Sequence, residues 1–144
     1  MKLRRMFKDD SAQSLVEFAF ILPIILLIVT GLFDVARAVW QENTLAYAAR
    51  EGTRYAIVHG SGYPDPALVA WPNNTAQITQ VVQNAAVGVA GVLVVSEWAD
   101  GCYQRNCRVS VTATAPFIPL PSAYLLGSAF QITLRGGSEL VIQR

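Results

Sequence analysis

The run of apolar residues from Leu15 to Phe33 constrains the fold of this chain more than any other feature of its sequence. Only one charged residue, Glu17, interrupts it. As a helix, the run would span roughly 28 Å, which is close to the thickness of the hydrocarbon core of a bilayer. A helix in the core of a soluble protein would show a polar face between residues 18 and 33. We therefore expect a membrane span over about residues 15–33.

Basic residues stand before the apolar run and indicate its orientation. Four of them fall within the first eight residues: Lys2, Arg4, Arg5 and Lys8. Because segments rich in lysine and arginine stay on the cytoplasmic side of a membrane, we expect the N-terminus inside and the rest of the chain outside the cytoplasm. The alternative is a cleaved secretory signal. Ala36-Arg37-Ala38 resembles a small-x-small cleavage site, and a cut there would leave Val39 as the first residue.

The spacing of apolar residues stays helical beyond the expected span, from Asp34 to about Val58. One face of this stretch carries a narrow stripe of small residues at helical spacing: Leu45, Ala49, Gly52 and Ala56. Such a stripe lets another backbone approach closely. We expect it to pack on the protein's own sheet, and a partner helix is the alternative. Glycine and proline residues between His59 and Pro66 end the helix.

Three segments in the second half of the chain have the composition or alternation of β-strands. They are Gly91–Trp98, Arg108–Ala115 and the stretch Phe130–Arg144. Before them, Thr75 is expected to cap a short helix with Ile78, Val81, Val82 and Ala85 on one face.

The last of these segments is expected to form a hairpin around Gly136-Gly137. A three-residue loop, Gly136–Ser138, would pair Leu134 with Leu140 and Ile132 with Ile142. All four side chains would then lie on one face of the sheet. A long N-terminal transmembrane helix that continues into a small domain with an antiparallel sheet is an α+β fold.

The sequence contains no motif that indicates catalysis or the binding of a cofactor. Phosphate loops, nucleotide-binding glycine patterns, paired catalytic carboxylates, nucleophile elbows and clusters of metal ligands are all missing from it. One histidine and two cysteines are too few for a typical zinc site. The net charge of +1 gives no general attraction to nucleic acid. We therefore expect no enzyme, no cofactor, no metal, no small-molecule substrate and no nucleic-acid partner.

The two cysteines, Cys102 and Cys107, flank a four-residue segment between two predicted strands. The expected topology places both outside the cytoplasm, in an oxidising compartment if the cell has one. They would then face each other across the end of a hairpin. We predict a disulfide between them, and two free thiols are the alternative.

Two blocks of the sequence carry a resemblance to a known family. The segment Ala12–Ala19 resembles the processing region of type IV pilin-like proteins, and it is most similar to the TadE-like minor pseudopilins of the tight-adherence (Flp) pilus system. The alanine-rich stretch Ala48–Ala56, with its paired arginines, resembles a second block of that family. In the wider superfamily a prepilin peptidase cuts before the hydrophobic helix, and a glutamate is the fifth residue of the mature chain. Counting back from Glu17 places the cut between Ala12 and Gln13, where Ala12 departs from the usual glycine.

The resemblance implies three parts for the chain. They are a basic leader over residues 1–12, a long helix over residues 13–59, and a pilin-like α+β domain outside the cytoplasm over residues 60–144. After the cut, 144 − 12 = 132 residues remain, a length that suits a minor pseudopilin of this system. The implied location is the bacterial cytoplasmic membrane, from which such a subunit can enter the pilus.

The resemblance also implies partners. They are the prepilin peptidase, membrane lipid, other pilin-like subunits and the assembly machinery. Glu17 is expected to pair with the N-terminal amine of an adjacent subunit, and an isolated side chain that reaches to the membrane surface is the alternative. A membrane-tethered binding or adhesion module, or a secreted protein cleaved after Ala38, remains the competing functional interpretation.

Overall fold

The computed structural model describes residues 10–59, 75–101, 105–120, 123 and 130–143, with the side chains of residues 10–12 outside this part. Two helices precede three strands along the chain: α1 (Asp10–Val58), α2 (Thr75–Ala85), β1 (Leu93–Glu97), β2 (Arg108–Phe117) and β3 (Ile132–Val141). A long apolar helix followed by a short helix and an antiparallel sheet confirms the predicted α+β class.

Helix α1 is 49 residues long and runs through Pro23. Proline removes one backbone donor from a helix, and a membrane span tolerates this because neighbouring groups satisfy the carbonyl that it frees. Farther along, the hydroxyl of Thr30 donates to the carbonyl of Leu26 at 2.9 Å. A polar side chain within the apolar run is therefore satisfied by its own helix.

The chain divides into two compact units. One comprises Met1–Ala36 and Pro119–Phe130, and the other comprises Arg37–Ile118 and Gln131–Arg144. The second unit thus contains the C-terminal part of α1 together with α2 and the whole sheet. Its core is built from the buried faces of those elements.

The sheet has the order β1-β2-β3, and both strand pairs are antiparallel. Central strand β2 alternates strictly between buried and more exposed side chains along most of its length. Its buried residues are Val109, Val111, Ala113, Ala115 and Phe117. This period of two confirms the half-buried strand that the sequence predicts.

The small-residue stripe of α1 lies in the core of the second unit. Leu45, Ala49 and Ala56 are fully buried. A β-carbon on Gly52 would meet a methyl group of Val82 on α2 and would lie 3.3 Å from a methyl of Val111 on β2. The stripe therefore packs on the protein's own sheet, as expected, and also on its second helix.

The predicted C-terminal hairpin is wrong. Residues 132–141 form one continuous strand, and Gly136 lies opposite Ala113 of β2 instead of in a turn. A β-carbon at Gly136 would collide with backbone atoms of Leu45 and would lie 2.7 Å from the α-carbon of Ala46. Gly136 is present because the helix backbone crosses the strand there, and a glycine inside a strand often marks such a close approach.

Strand β2 also extends past its expected end at Ala115, through Pro116 to Phe117. Proline has no N–H to donate and is tolerated where a strand is paired on one side only. Strand β1 begins at Leu93, opposite Thr114, so Pro116 pairs only with Thr133 of β3. The proline therefore occupies a local edge of the central strand.

Candidate assembly interface

The N-terminal part of α1 exposes an apolar surface on all sides. Every side chain from Gln13 to Val29 is exposed, and Phe20 and Phe33 expose 73% and 67% of their surface. Gln13–Val58 is long and apolar enough to contain a membrane span, and no part of its most apolar 18-residue stretch is buried. Such a surface is stable against lipid or against other apolar helices. This one N-terminal helix fits a single-pass membrane anchor.

Gln13 and Glu17 lie one helical turn apart at the start of this surface. The side-chain amide of Gln13 donates to Oε1 of Glu17 at 3.2 Å. Both side chains are exposed, so the contact leaves the carboxylate open to a second donor. The bond between Ala12 and Gln13 lies within α1, whose described part starts at Asp10. Residues 1–9 of the expected leader, which comprises residues 1–12, lie outside the described residues.

Asp34 is the first charged residue after the apolar run, and its side chain is only 6% exposed. Its Oδ2 accepts a hydrogen bond of 2.8 Å from the backbone N–H of Leu120. The carboxylate therefore attaches the segment that starts at Pro119 to the helix within the first unit. No sequence motif predicts this contact, because 86 residues separate the two partners.

Arg37 begins the second unit and contacts the end of β2. Its guanidinium donates to the carbonyl of Ile118 at 2.6 Å and lies 4.7 Å above the ring centre of Phe117. A cation over an aromatic face, in a partly buried setting, stabilises both groups. The sequence interpretation treats Arg37 only as part of a cleavage-like tripeptide, so this structural role was missed.

A second charged cluster joins the β1–β2 connection to β3. Arg108 donates to Asp100 through its backbone N–H at 2.9 Å and through Nη2 at 2.8 Å, and its Nη1 lies 3.2 Å from Glu139. Hydrogen bonding from the Arg108 side chain, and then from its backbone N–H, lowers the pKa of the Asp100 carboxyl. The same partner raises the pKa of Arg108, which stays charged throughout the accessible range. The cluster fixes Asp100, in the connection between β1 and β2, to Arg108 at the start of β2. Its geometry is that of a structural ion pair.

The structure describes only one of the two cysteines in the predicted disulfide, Cys107. Cys107 is 5% exposed, and its carbonyl accepts the N–H of Ile142 at 2.8 Å. Cys102 lies outside the described residues, so the disulfide stays a prediction.

His59 stacks on Tyr55, with 3.9 Å between ring centres. Among the described residues, no group of three or more histidine, cysteine or acidic side chains could hold a metal ion.

Comparison with known proteins gives a match over most of helix α1. The model of the family described as TadE-like protein matches residues 12–54.

Residues 12–54 are similar to the TadE-like family, and we call them the TadE-like segment.

The match confirms the resemblance predicted from the two sequence blocks. The TadE-like segment begins at the residue before the predicted cut and includes Glu17, the whole apolar run and most of the small-residue stripe. Together with the apolar helix it fits a pilin-like membrane component. Neither the curated proteins nor the solved structures gave a significant match.

Proposed function

We propose that this chain is a minor pseudopilin of a tight-adherence pilus system. A prepilin peptidase removes residues 1–12, and the apolar half of α1 then packs with the helices of other pilin-like subunits. The observation that carries the proposal is that the match to the TadE-like family and the exposed apolar surface lie on the same part of α1. The TadE-like segment covers the part of α1 whose apolar side chains are exposed on every side, with Gln13 and Glu17 in contact at its start.

The charge of the leader supports an orientation with the N-terminus in the cytoplasm. Its basic residues hold one end of the helix on the cytoplasmic side until the peptidase acts. Removal of Lys2, Arg4, Arg5 and Lys8 takes away that hold. The mature helix can then move from lipid into an assembly without carrying four cations through the bilayer.

Cleavage before Gln13 gives Glu17 a second kind of partner. The new α-amine is largely protonated at neutral pH, and it lies about 6 Å along the helix from Glu17. Between subunits the amine and the carboxylate attract strongly, because a bundle of apolar helices has a low effective dielectric constant. A carboxylate left unpaired there is unfavourable, so the pair selects one axial offset between neighbours. The Gln13 amide, at 3.2 Å, holds one carboxylate oxygen and leaves the other for the incoming amine.

A secreted protein that starts at Val39 is the weaker alternative. Such a protein would lack Arg37, whose side chain contacts both Ile118 and Phe117 in the second unit. It would also lack the apolar run that the TadE-like segment includes. A membrane-tethered module that keeps Met1 remains the comparison for the experiments below.

The cut is tested by the mass of the intact mature protein. We expect a first residue of Gln13 in cells that contain the prepilin peptidase and of Met1 in cells that lack it. Ala12→Leu should block processing because the peptidase accepts a small residue before the bond, and Ala12→Gly is the matched control that should be processed at least as well. Normal maturation of Ala12→Leu would argue against this enzyme class.

Assembly is tested at Glu17 in the processed protein. Glu17→Ala should insert and be cut normally but should not be recovered with other pilin-like subunits, and Glu17→Gln should be partly defective because it keeps hydrogen bonding without charge. Glu42→Ala, an exposed carboxylate on the same helix beyond the apolar run, is the control that should assemble. If Glu17→Ala supported piliation like the wild type, the pairing role would be wrong.

A further inference from the structure

The C-terminal end of β2 contacts α1 close to where the apolar run stops. Arg37 donates to the carbonyl of Ile118, directly after β2, at 2.6 Å. Farther along the helix, Ala46 lies against Gly136 of β3, which pairs with Ala113 in the middle of β2. Arg37 is four residues, or about 6 Å, beyond the last residue of the expected span. In an anchored chain this distance corresponds to the headgroup layer, which is roughly 5–8 Å thick on each side of the hydrocarbon core.

A surface cavity of about 330 Å³ lies at this end of the sheet, between α1 and the end of β2. Arg37 and Gln41 line it from the helix, and Pro116 and Ile118 line it from the strand. Its volume falls within the range of roughly 300–1,000 Å³ that is typical of pockets for small ligands. Among the described residues that line it, Arg37 carries the only charge. The cavity therefore combines a cation with mostly apolar walls.

Gln41 adds a polar group to this cavity. Its side-chain oxygen is buried and accepts no hydrogen bond from any residue that the structure describes. Most buried polar atoms in proteins are paired, because a buried acceptor without a donor is unfavourable. A half-turn of the amide exchanges its oxygen and nitrogen, so the group can present an acceptor or donors to a ligand. A ligand that carries N–H groups would supply the donor that this acceptor lacks.

We propose that this cavity binds the headgroup of a phosphatidylethanolamine molecule from the outer leaflet of the membrane that α1 crosses. The phosphate lies against the guanidinium of Arg37, since arginine suits phosphate in charge and geometry. The ammonium group donates a hydrogen bond to the side chain of Gln41. The proposal rests on the membrane anchoring in the proposed function, because an anchored chain holds the cavity at the level of the headgroups.

The charges near the cavity favour a zwitterionic headgroup over an anionic one. Asp34 lies three residues before Arg37, so the two side chains are neighbours on the surface of α1 and their charges are opposite. Phosphatidylcholine carries the same two charges as phosphatidylethanolamine. Its quaternary nitrogen has no N–H, however, and cannot donate to Gln41. The two lipids therefore differ in the one contact that Gln41 provides.

Native mass spectrometry of the full chain tests this difference. The delipidated protein in detergent receives limiting, equal amounts of the two lipids, and the mass of the one-lipid complex shows which lipid has bound first. We expect roughly ten times more phosphatidylethanolamine than phosphatidylcholine in that complex, the usual effect of one hydrogen bond to a charged group.

Gln41→Leu removes the amide and should bind the two lipids equally. Asn43→Leu makes the same change at an exposed position two residues along α1 and is the matched control, which should keep the wild-type preference. The near-ultraviolet circular dichroism of each variant shows whether the second unit is folded. An unchanged preference in a folded Gln41→Leu protein would overturn the site.

The remaining outcomes separate this inference from the proposed function. Equal binding of the two lipids by the wild type would overturn the site and leave the anchor in place. Free phosphoethanolamine that bound as tightly as the lipid would overturn the assignment to a membrane lipid. The chain should float with vesicles of either lipid, because the apolar run does not depend on the headgroup. Failure to float with both would contradict the anchor and this inference together.

Discussion

Gly136 determines how closely helix α1 can approach the sheet. The atoms nearest to its missing side chain belong to the backbone of Leu45 and Ala46, which cannot move without shifting the whole helix. The neighbouring Gly137 points to the opposite face of the sheet, where a β-carbon would lie 3.8 Å from Thr112, an ordinary contact. A side chain is therefore excluded at Gly136 and tolerated at the adjacent Gly137.

The first prediction concerns this pair. Gly136→Ala should destabilise the second unit by about 1–3 kcal/mol, because overpacking forces backbone shifts. Gly137→Ala should have little effect or a slightly favourable one, since alanine restricts the unfolded chain. Urea unfolding of the full chain in detergent, followed by near-ultraviolet circular dichroism, measures both. Equal midpoints for the two variants would contradict the close approach.

The second prediction concerns pH. Arg108 lowers the pKa of Asp100 from its ordinary value of 3.8, so the carboxyl binds its proton less readily in the folded state than in the unfolded state. Its contribution to stability is therefore complete above that ordinary value and is lost as the pH falls through the lower folded pKa.

Melting temperatures below about pH 5 test the sign of this effect. The melting temperature of Asp100→Asn should fall less with acid than that of the wild type. Arg108→Gln should behave like Asp100→Asn. Arg135→Gln removes an arginine from the outer face of β3, 3.5 Å from the Thr112 hydroxyl, and should keep the wild-type profile. If the melting temperature of Asp100→Asn fell with acid as steeply as that of the wild type, the ion pair between Asp100 and Arg108 would not form in solution.

Among the elements, α1 carries two different surfaces along one helix. Its first half is apolar on all sides, which the composition of residues 15–33 predicts directly because a span needs length and hydrophobicity only. Its second half buries a narrow stripe, which the spacing of Leu45, Ala49, Gly52 and Ala56 predicts. Composition therefore accounts for the first half of the helix, and periodicity accounts for its second half, for α2 and for the central strand β2.

The elements that the sequence misplaced were those decided by tertiary contact. Gly136-Gly137 has the composition of a hairpin turn, and only the crossing of α1 explains why it lies within a strand. Pro116 has the composition of a strand end, and only the short β1 explains why β2 continues past it. Local propensity carries no information about which strand edge is paired or which backbone packs against a glycine.

The same limit applies to the candidate assembly interface. The cut before Gln13 and the pairing role of Glu17 are implied by the family resemblance, which counts positions along one helix, and both stay predictions. Asp34 and Arg37 were reached only through the structure, because their partners at Leu120 and Ile118 are more than eighty residues away. The two ends of such contacts carry no shared sequence signal.

The third prediction concerns the connection between β1 and β2. A disulfide between Cys102 and Cys107 should stabilise the folded chain by about 2 kcal/mol through its small loop. Because Cys107 is 5% exposed, a free thiol there would also resist alkylation in the native protein. Alkylation must therefore follow denaturation, without reductant, with the mass of the protein as readout. We expect no modification before reduction and two after it, and double modification without reductant would contradict the bridge.

For the whole molecule, the division into two units predicts where the chain can be shortened. A fragment that starts at Asp34 keeps Arg37 and its contacts with Phe117 and Ile118, whereas a fragment that starts at Val39 lacks them. We expect the shorter fragment to be less stable by about 1.5–3 kcal/mol, the usual effect of losing a hydrogen bond to a charged group. Urea midpoints of the two fragments measure the difference. Equal midpoints would make Val39 an acceptable first residue and would favour secretion.

The exposure of α1 on every side from Gln13 to Val29 also limits the routes by which this protein can leave the membrane. Transferring one large apolar side chain from an apolar environment into water requires about 1.5–3 kcal/mol. For the whole surface the work of extraction is on the order of tens of kcal/mol. Thermal motion does not supply such work on a useful timescale. The helix must therefore pass directly from lipid to neighbouring helices, without an intermediate in water, or its extraction must be coupled to an external source of energy.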